Sequence, residues 1–409
     1  MKEYHTSIPL NNRKTICINF ESEENYQDCM NNKGKFKLHI TKTHEKYPEL
    51  FPKGLSLGWI LHGYTSSIKT GYEMHRIKLK TTKEVYQVRP SFLMPFMIGK
   101  TEEVSKGLNI YHSGSSFEAV SNNFGKDAMY WYRAFCSIGR NSIVGTTVKN
   151  MEKFPKHLAA DEKHTKWFNE RVYLATTVAK GCFLGSALSE DASEEGLKKA
   201  YGKFMEEAQE LKPDYQPESV NTDGWKATKK AWKNLSGQII LVLCFLHSVL
   251  KIQNVTRNYP KKKELMDKVW DSYNSVSIAS FSQQLRRLNE WADKENLPDK
   301  ISEKVKELCQ KKEQFKPGLE IEGAHRTSNM ADRLMDYQDR VLYRARYLHS
   351  LELSGTANLF VRAIALVWNF HPYCKKVKRH SPFEDLNGFI YHQNWLENMM
   401  IATSLGGRR

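Results

Sequence analysis

The chain has 409 residues, 40% of them hydrophobic, enough to bury a full core and to build two or more domains. With 62 Lys and Arg against 46 Asp and Glu, its formal net charge is +16 and its isoelectric point is near 9.3, which favours polyanionic partners, nucleic acid first and anionic membrane second. The longest apolar run, residues 239–252, is shorter than a bilayer span and is broken by His247 and Lys251; with no apolar leader and seven scattered cysteines, the expectation is a cytoplasmic protein without membrane anchor or disulfide framework.

Residues 1–72 are polar and weakly periodic, and read as a poorly defined N-terminal region. From Met74 to Val88, Ile77-Lys78-Leu79-Lys80 and Val85-Tyr86-Gln87-Val88 alternate across Thr81-Thr82-Lys83, as in a half-buried hairpin. Ser115 to Ser121 then predicts a short capped helix, Asn122-Asn123-Phe124-Gly125 a turn, and Asp127 to Ser137 a second capped helix. That is helix-turn-helix grammar. Read as a DNA-binding region, residues 73–150 would set the second helix in the major groove with Lys126, Tyr130 and Arg133 facing DNA. Phe117, Val120, Met129 and Tyr132 or Phe135 would hold the pair together, and the same pattern also fits any helix pair packed into a core.

After a connector from Ser142 to Pro155, Leu158 to Phe168, Arg171 to Val178 and Cys182 to Leu188 predict three strands joined by tight turns, an antiparallel meander. Ser193 opens a helix running to about Leu211, with Leu197, Ala200, Tyr201, Phe204, Met205 and Ala208 on one face. A crossover helix implies a parallel strand next, here Ser219 to Thr222 ending at Asp223; a helix from Ala227 to Leu235 and a strand from Gln238 to Leu243 follow. Three strands, helix, strand, helix, strand is the order of the ribonuclease H fold, in which the first and fourth strands are neighbours. The expected fold class is therefore α/β, a ribonuclease H-like mixed sheet over 151–253 and 321–372, preceded by the helix-turn-helix region. Residues 254–320 form a helical insertion and 373–409 a C-terminal tail.

This adjacency brings Asp161 and Asp223 together. Two like charges in a small space are stable when shared cations neutralise them, and Mg²⁺, with Mn²⁺ as a substitute, takes carboxylates plus water and phosphate oxygens. Asp332, in the helix opening Thr327-Ser328-Asn329-Met330-Ala331-Asp332-Arg333, is the third acid. Cys244-Phe245-Leu246-His247 offers half a zinc site, with no second Cys or His pair at compatible spacing. Arg333, Arg340, Arg344 and Arg346 give the helix from Met330 to Leu348 a basic face suited to phosphates.

The run Asp161-Glu162-Lys163-His164, the segment from Thr222 to Thr228, the block from Arg326 to Arg333 and the tail from Ser381 to Phe389 resemble prokaryotic insertion-sequence transposases of the DDE type. The resemblance covers roughly residues 75–400. It implies metal-dependent strand cleavage at element ends and strand transfer into target DNA, with Asp161, Asp223 and Asp332 as metal ligands and His247 near the scissile phosphate. It also implies double-stranded DNA as partner, a homodimer or larger assembly on that DNA, and association with the nucleoid. In most members the third acid is Glu; Glu322 and Asp339 compete with Asp332 for that role. Two alternatives keep the same fold, a domesticated DNA-binding regulator without transposition activity and a ribonuclease H-like nuclease.

Overall fold

The computed structural model describes residues 13–68, 70–95, 97–168, 170–345, 348, 353–373 and 380–408. The protein is α/β, built around two mixed sheets. In the first, β1 (Thr15–Ile18) leads through α1 (Glu23–Asn31) and α2 (Lys33–Lys46) to β2 (Trp59–Ser66), β3 (Glu73–Leu79) and β4 (Val85–Pro90). Strand order is β1-β4-β3-β2, with β1 parallel to β4 and the expected β3–β4 hairpin pairing Ile77 with Tyr86. Tyr26, Phe36 and Ile40 of α1 and α2 are fully buried. The boundary drawn at residue 72 therefore needs correction, because it passes through a sheet. β1 has only four residues and pairs with a strand some seventy positions away, which leaves no local periodicity to read.

Helices α3 (Thr101–His112), α4 (Phe117–Phe124), α5 (Ala128–Ile138) and α6 (Ile143–Thr147) follow. The expected caps are present: Ser116 accepts from the Ala119 amide and Asp127 from the Tyr130 amide. The packing differs from expectation. Met129 is 51% exposed, and the centre of the helix pair is Trp131, fully buried with its indole N–H donated to the Gly125 carbonyl. Gly107 of α3 makes room for this ring, since a Cβ there would lie 2.4 Å from it.

The second sheet follows the expected elements closely. It comprises β5 (His157–Trp167), β6 (Glu170–Ala179) and β7 (Cys182–Ser189), then α7 (Glu194–Leu211), β8 (Ser219–Thr222), α8 (Lys226–Leu235) and β9 (Ile240–Leu243). Strand order is β7-β6-β5-β8-β9; β5, β6 and β7 are antiparallel neighbours, and β8 runs parallel to both β5 and β9. Side chains alternate across β5. Leu158 and Ala160 face the core shared with α7 and α8, whereas Ala159 faces the opposite core.

Beyond β9, α9 (Phe245–Val255), α10 (Lys262–Tyr273), α11 (Ile278–Lys294) and α12 (Asp299–Gln310) enclose a separate core with Phe281 and Phe315 at its centre. Because Phe245, Val249 and Ile252 belong to that core, the helical insertion starts at α9, some ten residues before the expected boundary. The short helices α13 (Lys312–Phe315) and α14 (Pro317–Glu320) return the chain to the sheet. There α15 (Asn329–Arg344) and α16 (Asn358–Phe370) cover the second face. Gln338 anchors α15, its amide bonding the Thr176 and Ser186 hydroxyls.

The tail also needs correction, because it is an integral clamp. In α17 (Pro382–Asn387) the Asn387 side chain accepts from the Lys149 and Asn150 amides and donates to the Thr147 carbonyl. After α18 (Trp395–Ala402), Ser404 accepts from the Cys17 amide and donates to the Leu50 carbonyl, tying the tail to β1. The first sheet, α3 to α5, α15, α16 and the tail share one continuous core, so no core boundary falls at residue 150. Among the described residues, no helix is long and apolar enough to cross a membrane.

Candidate metal centre

Parity along the strands decides which carboxylates meet. Asp161 shares the face of Ala159, the α15 side, and is 8% exposed. Ala159 is paired with Asn221, and Asp223, two residues on and just past the end of β8, is close enough for its charge to act on Asp161. At Asp223 the chain leaves the sheet: its carboxylate accepts the Trp225 amide at 2.8 Å, and Gly224 turns with φ +91°. The positive φ favours glycine there, and a Cβ would also press on the end of the Leu243 side chain at 2.5 Å.

Asp332 comes from the first turn of α15 and His247 from that of α9. Asp161, His247 and Asp332 each present a ligand atom, and these atoms lie within 4.8 Å of one another. Three of the residues expected from the sequence thus meet, and Asp223 is close enough for its charge to act on Asp161. The competing acids are placed elsewhere. Glu322 is exposed, and the adjacent Gly323 packs against His157 at the far end of β5; Asp339 forms an ion pair with Lys163.

Electrostatics reflect this crowding. Burial, then the neighbouring Asp223 charge, pushes the Asp161 carboxyl up to about 6, against the pull of His247. Burial also raises Asp332, opposed by His247 and by a hydrogen bond from Ser328. The Cys244 thiol beside His247 lifts the imidazole to about 9, aided by Asp161 and Asp332 and opposed by burial. The buried Nδ1 of His247 has no aligned hydrogen-bond partner among the described residues. Burial pushes the Cys244 thiol up, but His247 and Ser328 outweigh it and hold the thiol below its ordinary value.

Among the described residues, no Lys or Arg forms an ion pair with Asp161, Asp223 or Asp332. Three carboxylates concentrated beside one histidine, with no Lys or Arg partner among the described residues, fit a hard divalent cation. At neutral pH the His247 ring holds its proton and contributes positive charge and an N–H rather than a lone pair.

Glu162 was not singled out by sequence reasoning. Alternation turns it to the opposite face, where it accepts hydrogen bonds from Tyr201 and Thr228, and burial pushes it up to about 7. Two adjacent acids on a strand serve opposite faces, a signal present in Asp161-Glu162 itself. Glu162 and Asp223 line a cleft of about 610 Å³ that also carries Lys226, Lys229, Lys251, Lys311, Tyr173 and Trp225.

The DNA-facing residues expected on α5 lie around a second groove of about 480 Å³. Lys126 and Arg133 are exposed there, whereas the Tyr130 hydroxyl is engaged with the Ile98 carbonyl at 2.6 Å. On α15, Arg333 and Arg340 are exposed, but Arg344 is committed to the Tyr111 carbonyl and ring; Arg346 lies outside the described residues. Comparison with protein-family models and with curated proteins finds no match.

Proposed function

We propose that this chain is a DNA transposase of the DDE type with a ribonuclease H-like catalytic core. The observation that carries this reading is the meeting of Asp161, His247 and Asp332 within 4.8 Å, beside Asp223 on the neighbouring strand, from four segments spread over 170 residues. A sheet ordered β7-β6-β5-β8-β9, with one acid within β5 and another just past the end of its parallel neighbour β8, supports the fold assignment.

Asp161, Asp223 and Asp332 would hold the divalent cations, Mg²⁺ or Mn²⁺. Bound there, such ions supply charge neutralisation and polarise phosphate oxygens for in-line phosphoryl transfer. The chain's own residues do the rest. Strands β5 and β8 fix two carboxylates on rigid backbone, and α15, locked by Gln338, brings the third. The imidazolium of His247 places positive charge where negative charge accumulates on the reacting phosphate. Lys226, Lys229, Lys251 and Lys311 receive the DNA backbone along the cleft that ends at Asp223.

In this reading water attacks the phosphodiester at the element end, and the freed 3′-OH then attacks target DNA, with no covalent protein intermediate. Helices α4 and α5 act as a helix-turn-helix that reads the ends, and the enzyme works on the nucleoid as a dimer or larger assembly. The test is incubation of the full chain with Mg²⁺ or Mn²⁺ and DNA carrying the sequences that flank its reading frame. End-specific cleavage followed by joining supports the proposal. Cleavage without need of those ends would establish the nuclease reading, and end binding without cleavage the regulator.

A further inference from the structure

Ser328 occupies the position that caps α15, yet its side chain caps nothing. At the corresponding position of α4, α7, α11 and α17, Ser116, Ser193, Ser277 and Ser381 each accept a backbone amide of their own helix. The Ser328 hydroxyl turns instead toward the metal centre. It lies 3.3 Å from Asp332 Oδ2 and 3.2 Å from Cys244 Sγ, and the Ser328 amide also donates to that sulfur at 3.2 Å. Both Ser328 and Cys244 are fully buried.

Cys244 stands at the start of α9, 84 residues earlier in the chain. Next to this contact the Phe245 amide donates to the Arg326 carbonyl at 3.0 Å. The starts of α9 and α15 therefore abut, and this joint closes the whole helical insertion. One turn in from the joint on α15 is Asp332; one turn in on α9 is His247. Both belong to the cluster with Asp161.

The donors and acceptors balance at the joint. Ser328 has one hydroxyl proton to give to Asp332, and its oxygen can then accept from the Cys244 thiol; if the sulfur is a thiolate, it still accepts the Ser328 amide. Either way the carboxylate is held by the hydroxyl of a residue that is itself fixed, through its hydroxyl or its backbone amide, by a residue of the other helix. A metal-ligating carboxylate needs an outer partner of this kind, because a flexible ligand loses affinity to its own rotamer freedom. Cys244-x-x-His247 thus has a use that requires no zinc.

We propose that Ser328 and Cys244 are positioning residues, which together set the Asp332 carboxylate in register to receive a divalent cation with Asp161 and hold the start of α9, with His247, beside it. This rests on the metal reading of the site and adds to it the residues that tie the two helices to the chemistry.

The test is Mn²⁺ binding to the full chain without DNA, measured by titration calorimetry, for wild type, Ser328→Ala, Ser328→Thr, Cys244→Ser and Asp332→Asn. The expected result is Mn²⁺ affinity about tenfold or more weaker in Ser328→Ala, with Ser328→Thr, which keeps the hydroxyl, near wild type. Wild-type affinity in Ser328→Ala overturns the proposal. So does an equal loss in Ser328→Thr, since side-chain size rather than the hydroxyl would then matter. Should Ser328→Ala fail to fold, Cys244→Ser decides: a smaller oxygen in place of sulfur lengthens the contact to Ser328, so Mn²⁺ affinity should fall, and an unchanged affinity overturns the proposal. Loss of binding in Asp332→Asn alone leaves the metal site standing without its proposed support. A wild-type chain that binds no Mn²⁺ removes the metal reading itself.

Discussion

Asp161 and Asp223 lie side by side because each stands two residues beyond the Ala159–Asn221 pair of parallel strands β5 and β8. Asp161 faces α15 and clusters with Asp332 and His247, while Asp223, just past the end of β8, adds its charge beside Asp161 and also lines the cleft with Glu162. Such a juxtaposition destabilises the protein in the absence of a cation, and that makes it measurable.

The carboxyl of Asp161 is raised from 3.8 to about 6, and that of Glu162 from 4.5 to about 7. A carboxyl raised on folding binds its proton more tightly in the folded state. Stability contributed by these groups is therefore full below about pH 4 and is lost as pH rises through 6 and 7. Asp161→Asn should stabilise the metal-free protein at pH 7.5 by on the order of 1–3 kcal/mol, and Glu162→Gln should remove the upper part of the slope. Thermal unfolding at pH 5 and 7.5 checks both; a variant no more stable than wild type at pH 7.5 would contradict the assigned burial.

Added Mn²⁺ should reverse this cost. A ligand that binds only the folded state raises its melting temperature, so wild type should gain several degrees at millimolar Mn²⁺. Asp161→Asn and Asp332→Asn should gain little. An equal rise in all three would mean that Mn²⁺ binds elsewhere.

Cleavage should separate the third acid from its competitors. Asp332→Asn is expected to reduce cleavage of end-containing DNA by at least 10²-fold with end binding nearly unchanged, because it removes stabilisation of the reacting phosphate rather than a backbone contact. Glu322→Gln, at an exposed position near the other end of β5, should cleave as wild type. The reverse outcome would move the third ligand to Glu322.

How much of this was legible in the sequence differs by the range of the interaction. The second sheet could be read because each strand and helix carries its own period and its own turn, and because the crossover rule makes β5 and β8 neighbours. The nearness of Asp161 and Asp223 follows from that adjacency alone. What escaped depends on contacts distant in the chain: the pairing of β1 with β4, the return of Asn387 and Ser404 to the core, and the joint between Cys244 and Ser328. Ser328 reads as an ordinary helix cap, and only its partner 84 residues away shows otherwise. Trp131 escaped for another reason. A tryptophan flanked by tyrosines fits several faces of a short helix, and the space for it is made by Gly107, on a different helix more than twenty residues earlier.

The two basic grooves should respond differently to mutation. Arg133 is exposed on α5 beside Lys126, so Arg133→Ala should cost about 1–3 kcal/mol of discrimination between element ends and random DNA if its guanidinium reads a base edge. Tyr130→Phe should leave sequence preference intact and cost about 1 kcal/mol of stability, because its hydroxyl bonds the Ile98 carbonyl. Replacing Lys226 and Lys229 by Ala should instead weaken binding to all DNA alike and lower the slope of log affinity against log salt by about 1 for each phosphate no longer neutralised. Binding to end-containing and random duplexes across a salt series distinguishes the two grooves. An Arg133→Ala variant with unchanged preference would make α4 and α5 a structural pair, packed about Trp131, and would place end recognition on another surface of the protein.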